Sequence, residues 1–249
     1  SMNIRTNGIQ IMLEAYKYIN KDEKRNLTDG KKIYWKNVRK LIKFLGENEH
    51  SNLLNEYKIR GKWEKRSFPS KTEEDKKNRY MCIPIKNRDL EKYIDPYKSF
   101  WEKRYYEMLF NNTDSNYFKK QVSLNYMEGL EWVMNYYTSG CLDWRWTYKY
   151  NYPPLLIDLF RYVPSFDSKM IKENNNKPVT RIVQLSYVLP PESHQLIPDI
   201  GSKLQKEFPQ FYEDSPGMIW AYCKYIWESH LMLPHIELEE LEDFVKNNE

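Results

Sequence analysis

Apolar residues recur at helical spacing along most of this chain. Over residues 5–19, Ile9, Met12/Leu13, Tyr16 and Ile19 mark one stripe, and Thr6 or Asn7 is placed to cap its start. From Tyr34 to Leu45 the stripe is Trp35, Val38, Leu41/Ile42 and Leu45. Lys36, Arg39, Lys40 and Lys43 lie mainly elsewhere around that helix, and Gly46 stands where a C′ residue belongs. Residues 58–79 break the pattern: KIRGKWEKRSFPSKTEEDKKNR is densely charged and predicts an exposed connection, in part disordered. Arg88–Phe110 is helical in pattern, but Pro96 must end or kink the helix near Asp95 before Trp101–Phe110 resumes it.

The longest pattern runs from Tyr117 to Tyr137, with Phe118, Val122, Tyr126, Leu130, Val133/Met134 and Tyr137 on one face and Gly140 closing the helix. An aromatic stretch, Trp144–Tyr152, and Pro153-Pro154 follow. Asn174–Asn176 marks a surface loop. Pro190-Pro191 opens a short helix that Pro198 interrupts, and Glu237–Val245 closes the chain with Leu238, Leu241 and Phe244/Val245 inward. Strand signals are weak, with Ile219–Leu233 ambiguous. The fold class expected is mainly α: an irregular multi-helix domain with long aromatic-rich loops and few or no strands.

Composition narrows the chemistry. Glycine is scarce, 8 of 249 residues, and neither GxGxxG nor GxxxxGK occurs, which argues against the corresponding nucleotide-binding folds. Aromatic residues make up 16%, enough to fill a core, to line a stacking surface, or both. The net charge of +4 is compatible with a local basic face without requiring one. Cys82, Cys141 and Cys223 are far apart and form no CxxC pair, which favours a reducing, intracellular compartment. No run reaches the length of a membrane helix. Ser1-Met2 has the look of an expression scar, leaving 3–249 as a single domain.

No metal site is visible. His230 and His235 are five apart, off the spacing of HExxH, and His50 and His194 stand alone. Most carboxylates belong to charged faces. Glu128 and Glu131 lie on the long helix, and Asp158 sits inside the apolar run Leu155–Phe160, where a cap or buried ion pair is expected rather than metal ligation. No catalytic group is assigned.

The segment Cys141–Tyr152 alternates aromatic with charged or polar residues. In an extended conformation Trp144, Trp146, Tyr148, Tyr150 and Tyr152 would share one side and Arg145 and Lys149 the other. Flat rings beside cations suit unpaired bases. On composition alone the same residues read first as a plug for the gap between helices.

Several blocks resemble the Xrn-type 5′→3′ exoribonucleases. Tyr126–Tyr137 followed by Gly140 is similar to a segment that in that family leads into a W-x-W-x-Y stretch, as Trp144, Trp146, Tyr148, Tyr152 and Pro154 do here, with Asp158 also matching. Gln184-Leu185, Val188–Pro191, Ser193 and Pro198 resemble the next motif. Trp227-Glu228 with Leu233-Pro234 resembles a later one, and Ile4–Ile9 through Glu14–Tyr16 resembles the start of the family's helical region. Lys149, Asn151 and Pro153 depart from the proline, histidine and alanine usual there.

The resemblance implies the helical middle region of such an enzyme, following an N-terminal nuclease domain that holds the magnesium ligands. It implies packing on that domain and a path for 5′-monophosphorylated single-stranded RNA. Trp144 or Trp146 would stack on a base, with Tyr148, Arg145 and Lys149 beside them and Gly129, Trp132, Gly140 and Asp158 as framework. The piece itself would lack cutting groups and hold no cofactor, magnesium remaining in the parent's nuclease domain. The rival expectations are a helical protein-interaction module and a relative that has lost nuclease activity.

Overall fold

A computed structural model describes residues 7–112, 115–212 and 217–248. Thr6, Ser1-Met2 and the residues before Asn7 lie outside them. The architecture is mainly α. In chain order come α1 (Gly8–Ile19), α2 (Trp35–Glu47), α3 (Glu49–Glu64), α4 (Glu73–Met81), α5 (Ile83–Lys86), α6 (Asp89–Ile94), α7 (Trp101–Phe110), α8 (Asn116–Thr138) and α9 (Leu156–Tyr162). Then follow α10 (Arg181–Val188), α11 (Pro198–Glu207) and α12 (Leu238–Asn248). Among the described residues one sheet forms, the antiparallel pair β1 (Gly217–Ile219) and β2 (His230–Met232), with Gly217 opposite Met232.

The single domain expected over 3–249 divides into two compact units. One comprises residues up to Asn175 together with Trp220–Glu228; the other comprises Asn176–Ile219 and Ser229–Glu249. The ambiguous stretch 219–233 is thus shared: its ends pair as strands in the second unit, and its middle is an insertion into the first. The second unit packs α10, α11 and α12 around Val183, Ile200, Leu204, Leu241 and Val245. The short helix opened by Pro190-Pro191 is a 3-10 turn, Pro191–Leu196, and stops before Pro198 as expected; Pro198 itself opens α11 at a first-turn position, where its missing N–H costs nothing.

In the first unit α2 packs on α9. Gly46 is not a C′ residue but lies within α2, so close to α9 that a Cβ there would stand 3.3 Å from the Ile157 nitrogen. Glu49, opening α3, completes the joint: its carboxylate accepts the N–H groups of Leu156 (2.8 Å) and Ile157 (3.2 Å), unpaired donors at the start of α9. Trp35, Ile42, Met127, Leu159 and Val163 form the core beneath.

The charged segment 58–79 is exposed over most of its length, as expected, but helix occupies both its ends. Helix α3 continues to Glu64 with Arg60 buried, and α4 is started by a capping box between Thr72 and Asp75. Asp95 ends α6, as Pro96 demands, and α7 follows.

Two expected apolar stripes are buried only in part: Phe118, Val122 and Tyr126 of α8 lie inward, as does Ile19 of α1, and most of the rest face outward. On α1, Ile9, Met12, Leu13 and Tyr16 are exposed while Ala15 and Ile19 are buried; Asn7 stands at the N-cap without a side-chain cap bond. On α8, Leu130, Val133 and Tyr137 are exposed, and the buried face reads Lys119, Val122, Ser123, Asn125, Met127, Glu131 and Asn135. The inward polarity has a cause. Irregular chain crosses this face, and backbone without helix or sheet needs partners. Glu131 accepts the N–H groups of Met170 (2.5 Å) and Ile171 (3.1 Å), and Asn125 Oδ1 accepts that of Lys149 (2.9 Å).

Candidate nucleic-acid interface

The aromatic segment begins with a turn. Asp143 Oδ1 accepts the N–H of Arg145 at 2.7 Å, folding residues 143–145 into a tight turn, so the expected alternation breaks at Trp144; from Trp146 to Tyr152 it holds, with the aromatic residues inward and Thr147, Lys149 and Asn151 exposed. Trp144 lies on the turn with 49% of its surface exposed. Trp146 folds back onto α8 over Gly129. It stacks on Trp132 (centroids 5.8 Å, 23°), which stacks in turn on Tyr136 (5.2 Å, 11°), and its Nε1 points at Glu128 Oε2 (3.4 Å). Trp132 Nε1 donates to the Asp143 carbonyl at 2.8 Å, tying the turn to the helix.

The remaining aromatic residues turn inward rather than sharing a side with Trp144. Tyr148 donates its hydroxyl to the Tyr152 carbonyl (2.7 Å) and packs edge-on against Tyr126; burial pushes its phenol well above the ordinary range. Tyr150 meets Phe110 and Phe118, and Tyr152 is buried. Arg145 is half-buried and Lys149 exposed. The two indoles of the triplet therefore differ in kind: one presents a surface, the other braces it.

The framework residues have identifiable tasks. Gly140, at φ +115°, lets the chain leave α8, its N–H still bonded to the Asn135 carbonyl. Asp158 is buried and accepts the Tyr106 hydroxyl (3.0 Å), with Lys119 (3.3 Å) and Arg161 (3.0 Å) as ion partners. Glu131 is taken up by backbone and Glu91 by two arginines. Among the described residues no group of three or more His, Cys, Asp or Glu side chains is placed to hold a metal ion. His50 faces the Pro96 carbonyl (2.8 Å), and His194 Nδ1 the Gly201 carbonyl (3.1 Å).

A second exposed ring pair was not read as a site in the sequence. Trp227 is 67% exposed and stacks on Tyr225 (5.6 Å, 16°), with Lys224 Nζ 4.9 Å from the Tyr225 ring. Glu228 holds this turn by accepting the N–H groups of Lys224 (2.7 Å) and Tyr225 (3.3 Å). Beneath it, Glu91 accepts the Tyr222 N–H (2.8 Å) and pairs with Arg60 (2.6 Å) and Arg88 (2.5 Å), while Arg60 donates to the Cys223 carbonyl (2.7 Å). The only local signal is the KYIWE run; exposure of its indole depends on an anchor more than 130 residues away.

Comparison with known proteins places these features in a family. The chain is 30% identical over 150 residues to 5'-3' exoribonuclease 2 of Gallus gallus, covering 58% of this chain and 16% of that protein. It is 30% identical over 159 residues to 5'-3' exoribonuclease 2 of Saccharomyces cerevisiae (61% and 15%), and 34% over 158 residues to that of Chaetomium globosum (59% and 14%). The matched stretch is thus about one sixth of these relatives. The model of the Xrn1 helical domain matches residues 71–248, more than half of the sequence. This chain belongs to the Xrn1 helical domain family.

Proposed function

We propose that this chain is the helical region of a 5′→3′ exoribonuclease, that it forms part of the path of 5′-monophosphorylated single-stranded RNA, and that it contributes no cutting groups. The observation that carries the reading is Trp144: a half-exposed indole on a turn held rigid by the Trp146–Trp132–Tyr136 stack. A braced ring loses little entropy on binding, and stacking accepts any base because every base has a π-face. Of the two candidate tryptophans, Trp144 is the one proposed to stack, with Lys149 and Arg145 near the phosphates and Trp146 as its support. Trp227 offers a further ring of the same kind.

The outward stripes on α1 and α8 support packing on a nuclease domain elsewhere in the parent protein. The magnesium ions and the hydrolytic step belong to that domain in this reading, and an RNA substrate implies an intracellular setting. No described helix is long and apolar enough to cross a membrane.

Titrating the chain with a short 5′-monophosphorylated oligoribonucleotide while following tryptophan fluorescence tests the proposal. Quenching that weakens steeply with salt, and is reduced by Trp144→Ala, is expected. The absence of quenching would favour a protein-interaction module. Magnesium-dependent degradation of the oligonucleotide by the pure chain would overturn the assignment of catalysis to another domain.

A further inference from the structure

The cations of this chain are unevenly placed. Residues 17–47 carry ten Lys or Arg against four Asp or Glu, an excess of about six, whereas the whole chain has a net charge of +4. Within this stretch, the end of α1, the following loop and the outward face of α2 enclose a groove of about 420 Å³. Tyr18 and Phe44 form one wall, their centroids 4.7 Å apart, and Tyr18 is 62% exposed. Lys21, Lys40 and Lys43 line the rest.

These cations are available. Lys21 and Lys40 form no ion pair with any described residue. Lys43 reaches Glu47 only at 3.8 Å, with both side chains more than half exposed, an interaction of little worth. Arg25 has the opposite role. Its guanidinium donates to the Ile19 carbonyl and to Glu23, and its N–H to Asn20 Oδ1, so it fixes the loop that brings Lys21 to the groove.

We propose that this groove binds an acidic peptide segment of a partner protein, with one aromatic or branched apolar side chain seated against Tyr18 and Phe44 and flanking carboxylates on Lys21, Lys40 and Lys43. Asp22 and Glu47 also stand in the lining and decide between polyanions. A nucleic-acid strand carries an anionic phosphate at every linkage, so it cannot drop its charge where it passes Asp22 and Glu47. A peptide alternates anionic side chains with N–H groups, and can satisfy both signs of charge. The Tyr18 and Phe44 rings are inclined to each other by 33°, a wall that one aromatic or branched apolar side chain can cover from the cleft between them.

Fluorescence anisotropy on this chain, with a labelled peptide of Asp and Glu residues around a central Phe, tests the proposal. The exposed positions make Lys40→Glu with Lys43→Glu, and Tyr18→Ala, foldable variants, which a thermal melt checks. The double charge reversal is expected to weaken binding by about tenfold. Tyr18→Ala, or replacing the peptide's Phe by Ser, is expected to cost about fivefold. Trp144→Ala should leave it unchanged, which separates this groove from the RNA path. Three results would overturn the proposal: no binding up to about 1 mM, sensitivity to the charge reversal without sensitivity to Tyr18→Ala or to the Phe-to-Ser peptide, or stronger displacement by a short oligouridylate than by unlabelled peptide.

Discussion

The indole of Trp146 occupies the space that a side chain at Gly129 would need: a Cβ on Gly129 would come within 2.7 Å of Trp146 Cη2. Glycine ordinarily weakens a helix interior, yet here it stands mid-way along α8 because the ring above it must lie flat. That closeness lets Trp146 stack on Trp132 and hold the turn that carries Trp144.

Gly129→Ala therefore sets a helix-propensity gain of about 1 kcal/mol against overpacking of about 1–3 kcal/mol, with net destabilisation expected. A lower midpoint in urea unfolding and a weaker near-ultraviolet dichroism from the indole stack would show it. An unchanged dichroism would mean that the ring does not depend on the glycine.

Trp144→Ala and Trp146→Ala should separate surface from support. The first removes an exposed ring, so stability should change by no more than about 0.5 kcal/mol while RNA affinity falls by about 1–3 kcal/mol. The second should lower both. Parallel melts and oligonucleotide titrations distinguish them.

The Arg60–Glu91–Arg88 cluster anchors Trp220–Glu228. Arg60→Ala leaves Glu91 and the Cys223 carbonyl short of a buried partner, and should cost about 3–5 kcal/mol. Denaturant unfolding measures this. Limited proteolysis should then cut first within 220–228, and protection there equal to the parent's would show that the anchor is elsewhere.

Burial pushes Glu49 up to about 7 from an ordinary 4.5, against the pull of the Leu156 and Ile157 N–H groups, and Asp158 and Glu102 add to the rise. Between those values the folded state holds a proton that the unfolded state has lost. Stability from this group is thus greatest below about pH 4.5, falls as pH rises toward 7 and is flat above, a change on the order of 3 kcal/mol. Glu49→Gln should remove that slope, read as the stability difference between parent and variant at pH 5 and at pH 7.5. A difference independent of pH would contradict the shift.

Local rules made much of the helical frame legible. The α2 and α12 stripes pack inward largely as their spacing requires, and Pro96 ends α6 at Asp95 because a proline cannot continue the hydrogen-bond ladder. The densely charged 58–79 is exposed over most of its length, as its charge suggests, but that charge hid the helices at its two ends and the burial of Arg60. Arg60 and Glu64 are charged, yet their partners Glu91, Arg88 and Lys92 come from α6 and its N-cap, which no local window contains. Likewise Gly46 has the place of a helix terminator and the task of a close contact, set by Ile157 more than a hundred residues on.

The aromatic segment shows the division between levels most clearly. Residue order alone determined that rings and cations would be concentrated at 144–152 and that a long helix would precede them. Which ring meets solvent was decided by tertiary structure. Asp143 bent the chain, Gly129 admitted Trp146, and the polar side of α8 turned inward to satisfy passing backbone, leaving Leu130 and Tyr137 outside. Periodicity records which residues share a face of a helix; which face is buried depends on what crosses it, and an irregular strand needing hydrogen-bond partners outweighed a stripe of apolar side chains.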